Sequence, residues 1–201
     1  MKRLFIIAVV LFFGSLGTMS AQKLAVKTNA LYWMTATPNV DVEFALADRW
    51  TVELSGAYNP WTFNKENNSK MKHYLISPEG RYWFCEVFQG HFVGLNANYA
   101  QYNAGGFHIP NLFIPLSSDA QGQTDLLNSR IEGWAAGAGL TYGYAFPFAR
   151  RWNLELTLGL GWWYTNYDQF ESRKCGLFQQ TVQKHVLGPT ALGATFVYMI
   201  K

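Results

Sequence analysis

The sequence predicts an all-β chain, an eight-stranded antiparallel up-and-down transmembrane β-barrel preceded by a signal peptide. Three observations predict it. From about residue 24 onward, apolar residues recur at every second position, the period of a strand with two different faces. The alternating stretches run to roughly ten residues and end in aromatics, as strands that cross a bilayer do. The connections between them alternate between brief and long, as expected of short periplasmic turns and long external loops.

The first strand is read over residues 24–33, with Leu24, Val26, Thr28, Ala30 and Tyr32 on one face and Lys27 and Asn29 on the other. The second covers 39–47, where Val40, Val42, Phe44 and Leu46 alternate with Asp41, Glu43 and Ala45. Asp48-Arg49 makes a tight turn into the third, 50–58, which sets Trp50, Val52, Leu54 and Tyr58 opposite Glu53 and Ser55. A polar loop over 59–72 follows, opened by Pro60. The fourth strand, 73–84, sets Tyr74, Ile76, Tyr82 and Phe84 against Ser77, Glu79 and Arg81. Pro78 lies inside it and cannot donate to a ladder, so a bulge or local break is expected there.

The fifth strand, 91–102, alternates Val93, Leu95, Ala97 and Tyr99 with Gly94, Asn96, Asn98 and Ala100. Residues 103–128 form the longest irregular stretch. The sixth strand, 132–144, opposes Trp134, Leu140, Tyr142 and Tyr144 to Gly133, Gly137, Gly139 and Gly143. Pro147 and Arg150-Arg151 turn it into the seventh, 152–164, where Leu154, Leu156, Leu158, Leu160 and Trp162 alternate with Asn153, Glu155, Thr157, Gly159 and Gly161. A polar loop is expected from 165 to about 186. The last strand, 188–200, turns Leu192, Phe196, Tyr198 and Ile200 outward.

The aromatics then sort into two belts. Trp50, Tyr82, Phe84, Tyr142, Tyr144, Trp152 and Tyr198 mark the periplasmic ends, and Tyr32, Tyr58, Tyr99, Trp134, Trp162 and Tyr164 the external ends. Interfacial girdles account for an aromatic content of 17%.

Residues 1–21 read as a secretory signal: Lys2 and Arg3, an apolar run over 4–13, then small and polar residues to Ala21. The barrel domain is then 22–201. The expected location is the bacterial outer membrane, with both termini periplasmic. The hydrophobic content of 49% and mean hydropathy of −0.05 do not oppose this, because alternation hides a lipid-facing surface from an average. Of the formal charge of +3, Lys2 and Arg3 contribute two. The balance gives no argument for nucleic acid, and no RNA-binding motif is present. Cys85 and Cys175 fall at opposite ends of this topology, across an apolar band ~25 Å tall, so no disulfide between them is expected.

An eight-stranded barrel is just wide enough for side chains to fill it. The inward residues that fill it are Lys27, Asn29, Asp41, Glu43, Glu53, Glu79, Arg81, Asn96, Asn98 and Glu155, a polar network with five carboxylates and two cations. Buried charges must be paired, protonated or hydrogen-bonded. The expected role is a plug of ion pairs that rigidifies the barrel, with a cation or proton site as the functional alternative. Catalysis needs a nucleophile, a base and an orienting acid together. His73 precedes Ser77 and Glu79 on one strand, His108 shares a loop with Ser117 and Ser118, and His91 and His185 stand elsewhere. None of these spacings is a catalytic signature, no metal-ligand spacing occurs, and no cofactor, small-molecule substrate or catalytic residue is expected. Apolar residues in a loop that faces water, Phe107, His108, Ile109, Leu112, Phe113 and Ile114, form the candidate external contact surface.

The segments Lys27-Thr28-Asn29, Asn59-Pro60-Trp61-Thr62-Phe63 and Pro78-Glu79-Gly80-Arg81-Tyr82-Trp83-Phe84-Cys85 carry a resemblance, with Gly90-His91-Phe92-Val93-Gly94-Leu95 and Gln101-Tyr102-Asn103. The chain resembles an uncharacterised family of outer-membrane barrels from Bacteroides-type bacteria, often encoded beside fimbrial subunit genes. In architecture it is similar to the small OmpA/OmpX-type barrels, although it ends Tyr198-Met199-Ile200-Lys201 rather than in a terminal aromatic. The resemblance implies fimbrial or other surface proteins as partners; the barrel pattern itself leads to the expectation of outer-membrane lipid as a partner, and the spacings above to a non-enzymatic role. A lipid-modifying barrel enzyme and a soluble periplasmic barrel holding a small apolar ligand stand as alternatives.

Overall fold

The computed structural model describes residues 24–64, 69–106, 114–116, 129–171 and 176–200. Among the described residues ten strands and a single helical turn follow one another: β1 (Leu24–Asn29), α1 (Ala30–Met34), β2 (Asn39–Ala47), β3 (Trp50–Asn59), β4 (Thr62–Asn64), β5 (Ser69–Trp83), β6 (Gly90–Gly105), β7 (Ile114–Pro115), β8 (Ser129–Ala149), β9 (Trp152–Glu171) and β10 (Phe178–Met199). Eight of them, all but β4 and β7, pair antiparallel in the order β1-β2-β3-β5-β6-β8-β9-β10. The ring closes where β1 pairs β10, from Ala25 opposite Met199 to Asn29 opposite Thr195. Following partner rows once around the ring offsets the strand by about ten residues, the stagger of an eight-stranded barrel whose strands tilt by roughly 40°.

Period-two patterning sets the two surfaces. Every residue of the expected lumen network is buried. The opposite positions are exposed and apolar: Leu54, Ile76, Leu95, Leu140, Leu158, Leu160 and Leu192 all stand on the outer wall, Leu140 at 71%. Aromatic pairs bound this band. Trp50 with Tyr82 (5.0 Å) and Trp152 with Tyr198 (4.9 Å) lie at the short-turn end. Tyr99 with Trp134 (6.3 Å) and Trp134 with Tyr164 (5.4 Å) lie at the long-loop end. At ~3.3 Å per residue and a tilt near 40°, the stretch of β9 from Trp152 to Trp162 rises about 25 Å along the barrel axis.

Several expectations are corrected. The first strand stops at Asn29, whose side chain accepts from the Leu31 N–H and caps a helical turn. Ala30 and Tyr32 therefore leave the outer face, and Tyr32 lines an interior cavity. The Asn29 amide then stands in for the missing strand: its Nδ2 donates to the Leu192 carbonyl at 3.0 Å and its Oδ1 accepts from the Ala194 N–H at 3.2 Å. At Pro78 the expected local break is present without a bulge: Ser77 and Pro78 drop out of the β5–β6 pairing, while the β3–β5 register runs unbroken through Leu54 opposite Pro78. Register shifts fall elsewhere, among them one between Pro189 and Ala191 on β10 and one between Pro147 and Ala149 on β8.

The loop expected from 165 to about 186 is mostly strand. β9 and β10 continue as a ladder up to Phe170 and Phe178, held by Thr181 donating to Asp168 at 2.7 Å. Beyond Tyr164 the outward positions of these strands turn polar, through Asn166 and Asp168. The sequence there loses its apolar alternation without losing its hydrogen-bond ladder. Pro147 lies within β8, and the turn is Arg150-Arg151 alone. Residues 1–21, with the expected cleavage after Ala21, and Phe107, His108, Ile109, Leu112, Phe113 and Cys175 lie outside the described residues. Ile114 is exposed and pairs through β7 with Leu187.

Candidate functional site

The lumen is built in layers from the short-turn end upward. An apolar plug comes first: Trp83, Val87, Phe88 and Phe92 with Ala25, Ala145 and Val197. Trp83 and Phe92 face each other across β5 and β6, ring centroids 4.7 Å apart. Phe88 folds in from the β5–β6 turn with φ at 66°, and its carbonyl accepts from Asn153 Nδ2 at 2.6 Å. The Trp83 indole donates to Thr51 at 2.9 Å, so the plug leaves this N–H satisfied. Gly143 makes room for it, since a Cβ there would collide with the Phe92 ring.

Above the plug lies the charged layer. Arg81 fans its guanidinium across four carboxylates: Nε to Glu79 at 2.8 Å, Nη2 to Glu53 at 2.8 Å, and Nη1 to Glu155 at 2.9 Å and Glu43 at 3.3 Å. Its face rests on Phe92, 4.6 Å from the ring centroid. Lys27 reaches Glu53 and Glu155 at 2.8 Å each and pairs with Glu43 as well. Each of the four glutamates thus touches at least one cation, and three of them share both. Glu43 Oε1 and Glu53 Oε2 lack a hydrogen bond, although Lys27 stands 2.8 Å from the latter as an ion pair. Asp41 lies outside this constellation, beside a cavity of about 60 Å³ that also touches Glu53, Ser55, Glu79 and Asn98. That volume suits a few waters.

The amide layer follows. Asn98 donates to Asn96 at 2.9 Å, and Asn96 donates to Thr141 at 2.7 Å. Asn29 completes the set as the strand substitute described above. The structure thus gathers Lys27, Glu43, Glu53, Glu79, Arg81 and Glu155 into one cluster and sets Asp41, Asn29, Asn96 and Asn98 above it. Sequence reasoning missed the aromatic plug, although its signal was present: Trp83 keeps the inward period of Glu79 and Arg81, and Phe92 that of Asn96.

The histidines are not brought to this cluster. His73 Nδ1 meets the Met71 carbonyl at 3.1 Å. His91 meets the Tyr142 hydroxyl at 2.6 Å at the short-turn rim, and His185 stacks on Trp162 at the other. Ser77 lines the small cavity, while Glu79 is held by Arg81. His108, Ser117 and Ser118 lie outside the described residues. Among the described residues, no group of three or more His, Cys, Asp and Glu is placed to hold a metal ion. Cys85 is a free, exposed thiol beside the short β5–β6 turn.

A second concavity lies on the outer wall at the long-loop rim. It measures about 520 Å³, and its lining includes Tyr58, Tyr74 and Trp134 with Lys72, Gln101, Asn103 and Glu132.

A family model for proteins of unknown function, DUF3575, matches residues 6–200. The chain belongs to DUF3575. No curated protein and no solved structure matches it. The DUF3575 assignment therefore brings no reaction, ligand or catalytic residue to the barrel, and the functional argument rests on the geometry of this chain.

Proposed function

We propose that this chain is a small, closed, non-enzymatic barrel of the bacterial outer membrane whose long-loop end serves surface interaction. The observation that carries the reading is the inversion of polarity. Charged residues fill the inside, and large apolar residues cover the outside in a band between two aromatic rings. A water-soluble barrel would bury the apolar set and expose the charged one. The band height of about 25 Å matches the apolar belt of outer-membrane barrels. Among the described residues no helix is long and apolar enough to cross a membrane, which leaves crossing by strands open.

The lumen supports a structural rather than a conducting role. The Trp83–Phe88–Phe92 plug and the Arg81 cluster block it from the short-turn end, so the barrel works through its surfaces. The short-turn end is read as periplasmic, after export by a signal peptide over residues 1–21. The finer form of the proposal is a Bacteroides-type barrel that assists fimbrial or other adhesin assembly. Its support is the resemblance of the Pro78–Cys85 and Gly90–Leu95 segments.

Heat modifiability tests the reading. The mature protein is extracted from the outer-membrane fraction in detergent and run on a gel with and without boiling. A boiling-dependent mobility shift is expected. A protein that fractionates as soluble and shows no shift would overturn the proposal and favour a soluble ligand-binding barrel.

A further inference from the structure

Two rows of strand partners cross the outer wall at its long-loop end. Tyr58, Tyr74, Gln101 and Trp134 pair in succession on β3, β5, β6 and β8. Two residues higher, Lys72, Asn103 and Glu132 pair on β5, β6 and β8. Strand parity turns both rows outward. Gln101 is drawn down the wall, because its Nε2 donates to the hydroxyl of Tyr99, two residues below, at 2.9 Å. Tyr74 and Trp134 flank it, their backbones two strand spacings or about 9–10 Å apart. Tyr99 stands beneath, its ring centroid 6.3 Å from that of Tyr74 and 6.3 Å from that of Trp134. The concavity of about 520 Å³ opens over this gap.

The volume lies in the range of small-molecule sites. Trp134 is held from two sides, stacked on Tyr99 and edge-on to Tyr164 at 5.4 Å, so its position is set before any ligand arrives. Gln101 and Asn103 bring amides, each with donors and an acceptor. Lys72 and Glu132 bring one cation and one anion. Glu132 is also met by Arg130 at 3.4 Å. With both signs present, the lining favours no free ion. Its groups match a neutral molecule with apolar C–H faces and a rim of hydroxyls, since each hydroxyl both donates and accepts. A pyranose ring has this form. An acyl chain would leave the amides and both charges without a partner.

We propose that this concavity binds the neutral sugar headgroup of a glycolipid in the surrounding leaflet, the pyranose against Tyr74 and Trp134 and its hydroxyls at Gln101, Asn103, Lys72 and Glu132. The inference rests on the outer-membrane reading. Tyr58 and Trp134 belong to the upper aromatic girdle, so the concavity opens at the level of the lipid headgroups. Ile76 on β5 and Leu140 on β8 stand exposed below it and offer acyl chains an apolar wall. This continuity with the apolar band selects a lipid-linked sugar over a free one.

The test uses the purified full-length mature chain in micelles of a sugar-free detergent, with binding read by native mass spectrometry. The probes are a monoglucosyl diacylglycerol, the same diacylglycerol without its sugar, a phosphatidylglycerol with the same chains, and glucose. The glucolipid is expected to bind best, with an affinity that salt does not change. Trp134→Ala is expected to weaken it about tenfold, as loss of an aromatic anchor does. Because Trp134 also packs on Tyr99 and Tyr164, Gln101→Trp is the companion variant. It keeps every girdle ring and fills the gap, and it is expected to abolish the preference for the glucolipid while the heat shift is retained. Equal binding of the sugar-free lipid, a preference for phosphatidylglycerol, saturation by glucose at the same concentration, or an unchanged Gln101→Trp variant would each overturn the inference. A heat-modifiable barrel that ignores the glucolipid refutes this inference alone. A soluble protein without a heat shift refutes the barrel reading and this inference with it.

Discussion

Replacing Arg81 with Gln should be the most damaging single change in the lumen. The guanidinium lies within 3.3 Å of four glutamates, three of them at 2.9 Å or less. It is 3% exposed, so its loss leaves the carboxylates buried rather than open to bulk solvent. Without it, Lys27 would be the one cation left among the described residues of the cluster, touching Glu43, Glu53 and Glu155 but not Glu79. Removing one partner from a buried ion pair costs about 3–5 kcal/mol because the other charge remains buried. Here several carboxylates lose a partner, so the upper part of that range is expected. The assay is urea unfolding from lipid vesicles followed by tryptophan fluorescence, with retention of the heat shift as a fold control. Glu79→Gln is the companion variant. It gives up one hydrogen bond but reduces the carboxylate excess, and its cost should stay within about 1 kcal/mol. A loss below about 1 kcal/mol for Arg81→Gln, or equal losses for both variants, would refute the reasoning that the cluster is held by its cations.

Three other expectations follow from the walls and rims of the barrel. Leu158→Arg places a charge at the middle of the outer band, where it should cost about 2–4 kcal/mol in a bilayer. On a soluble protein the same surface change would stay within about 0.5 kcal/mol, so the unfolding free energy separates the two readings. Gly143→Ala should destabilise by roughly 1–3 kcal/mol in the same urea assay, because the added methyl meets the Phe92 ring and the Leu156 carbonyl, the latter at 2.8 Å. Cys85, in a Cys175→Ser background, should resist a membrane-impermeant maleimide on intact cells and react once the outer membrane is permeabilised. Rapid labelling of intact cells would reverse the assigned orientation.

The sequence made the ring of eight strands legible because one physical constraint governs most of it. A wall with different solvents on its two sides must alternate, and Leu154 to Trp162 alternates without interruption. The same constraint exposed the lumen residues, from Lys27 through Glu155. Where the constraint lapses, so did the reading. Above Tyr164 and Trp134 both faces meet polar surroundings, and strand residues such as Asn166, Asp168 and Gln183 look like loop. Asn29 kept strand parity, yet its short side chain caps a helical turn and hydrogen-bonds to β10 in place of further strand. That substitution depends on the position of Leu192, 163 residues away, which no local pattern encodes. Pro78 and Pro189 both lie within strands, yet the first only interrupts the pairing with β6 while the second coincides with a bulge.

The central claim is that the even-numbered residues of β9 face lipid while the odd-numbered ones face a packed, polar lumen. A single-cysteine scan over residues 152–164, in a chain carrying Cys85→Ser and Cys175→Ser, tests it most directly. Each position carries a spin label in reconstituted bilayers, and accessibility is measured to oxygen and to a water-soluble relaxation agent. The account predicts high oxygen accessibility at 154, 156, 158, 160 and 162, and little access to either agent at 153, 155, 159 and 161. Water accessibility at the even positions, or the opposite phase of alternation, would contradict it.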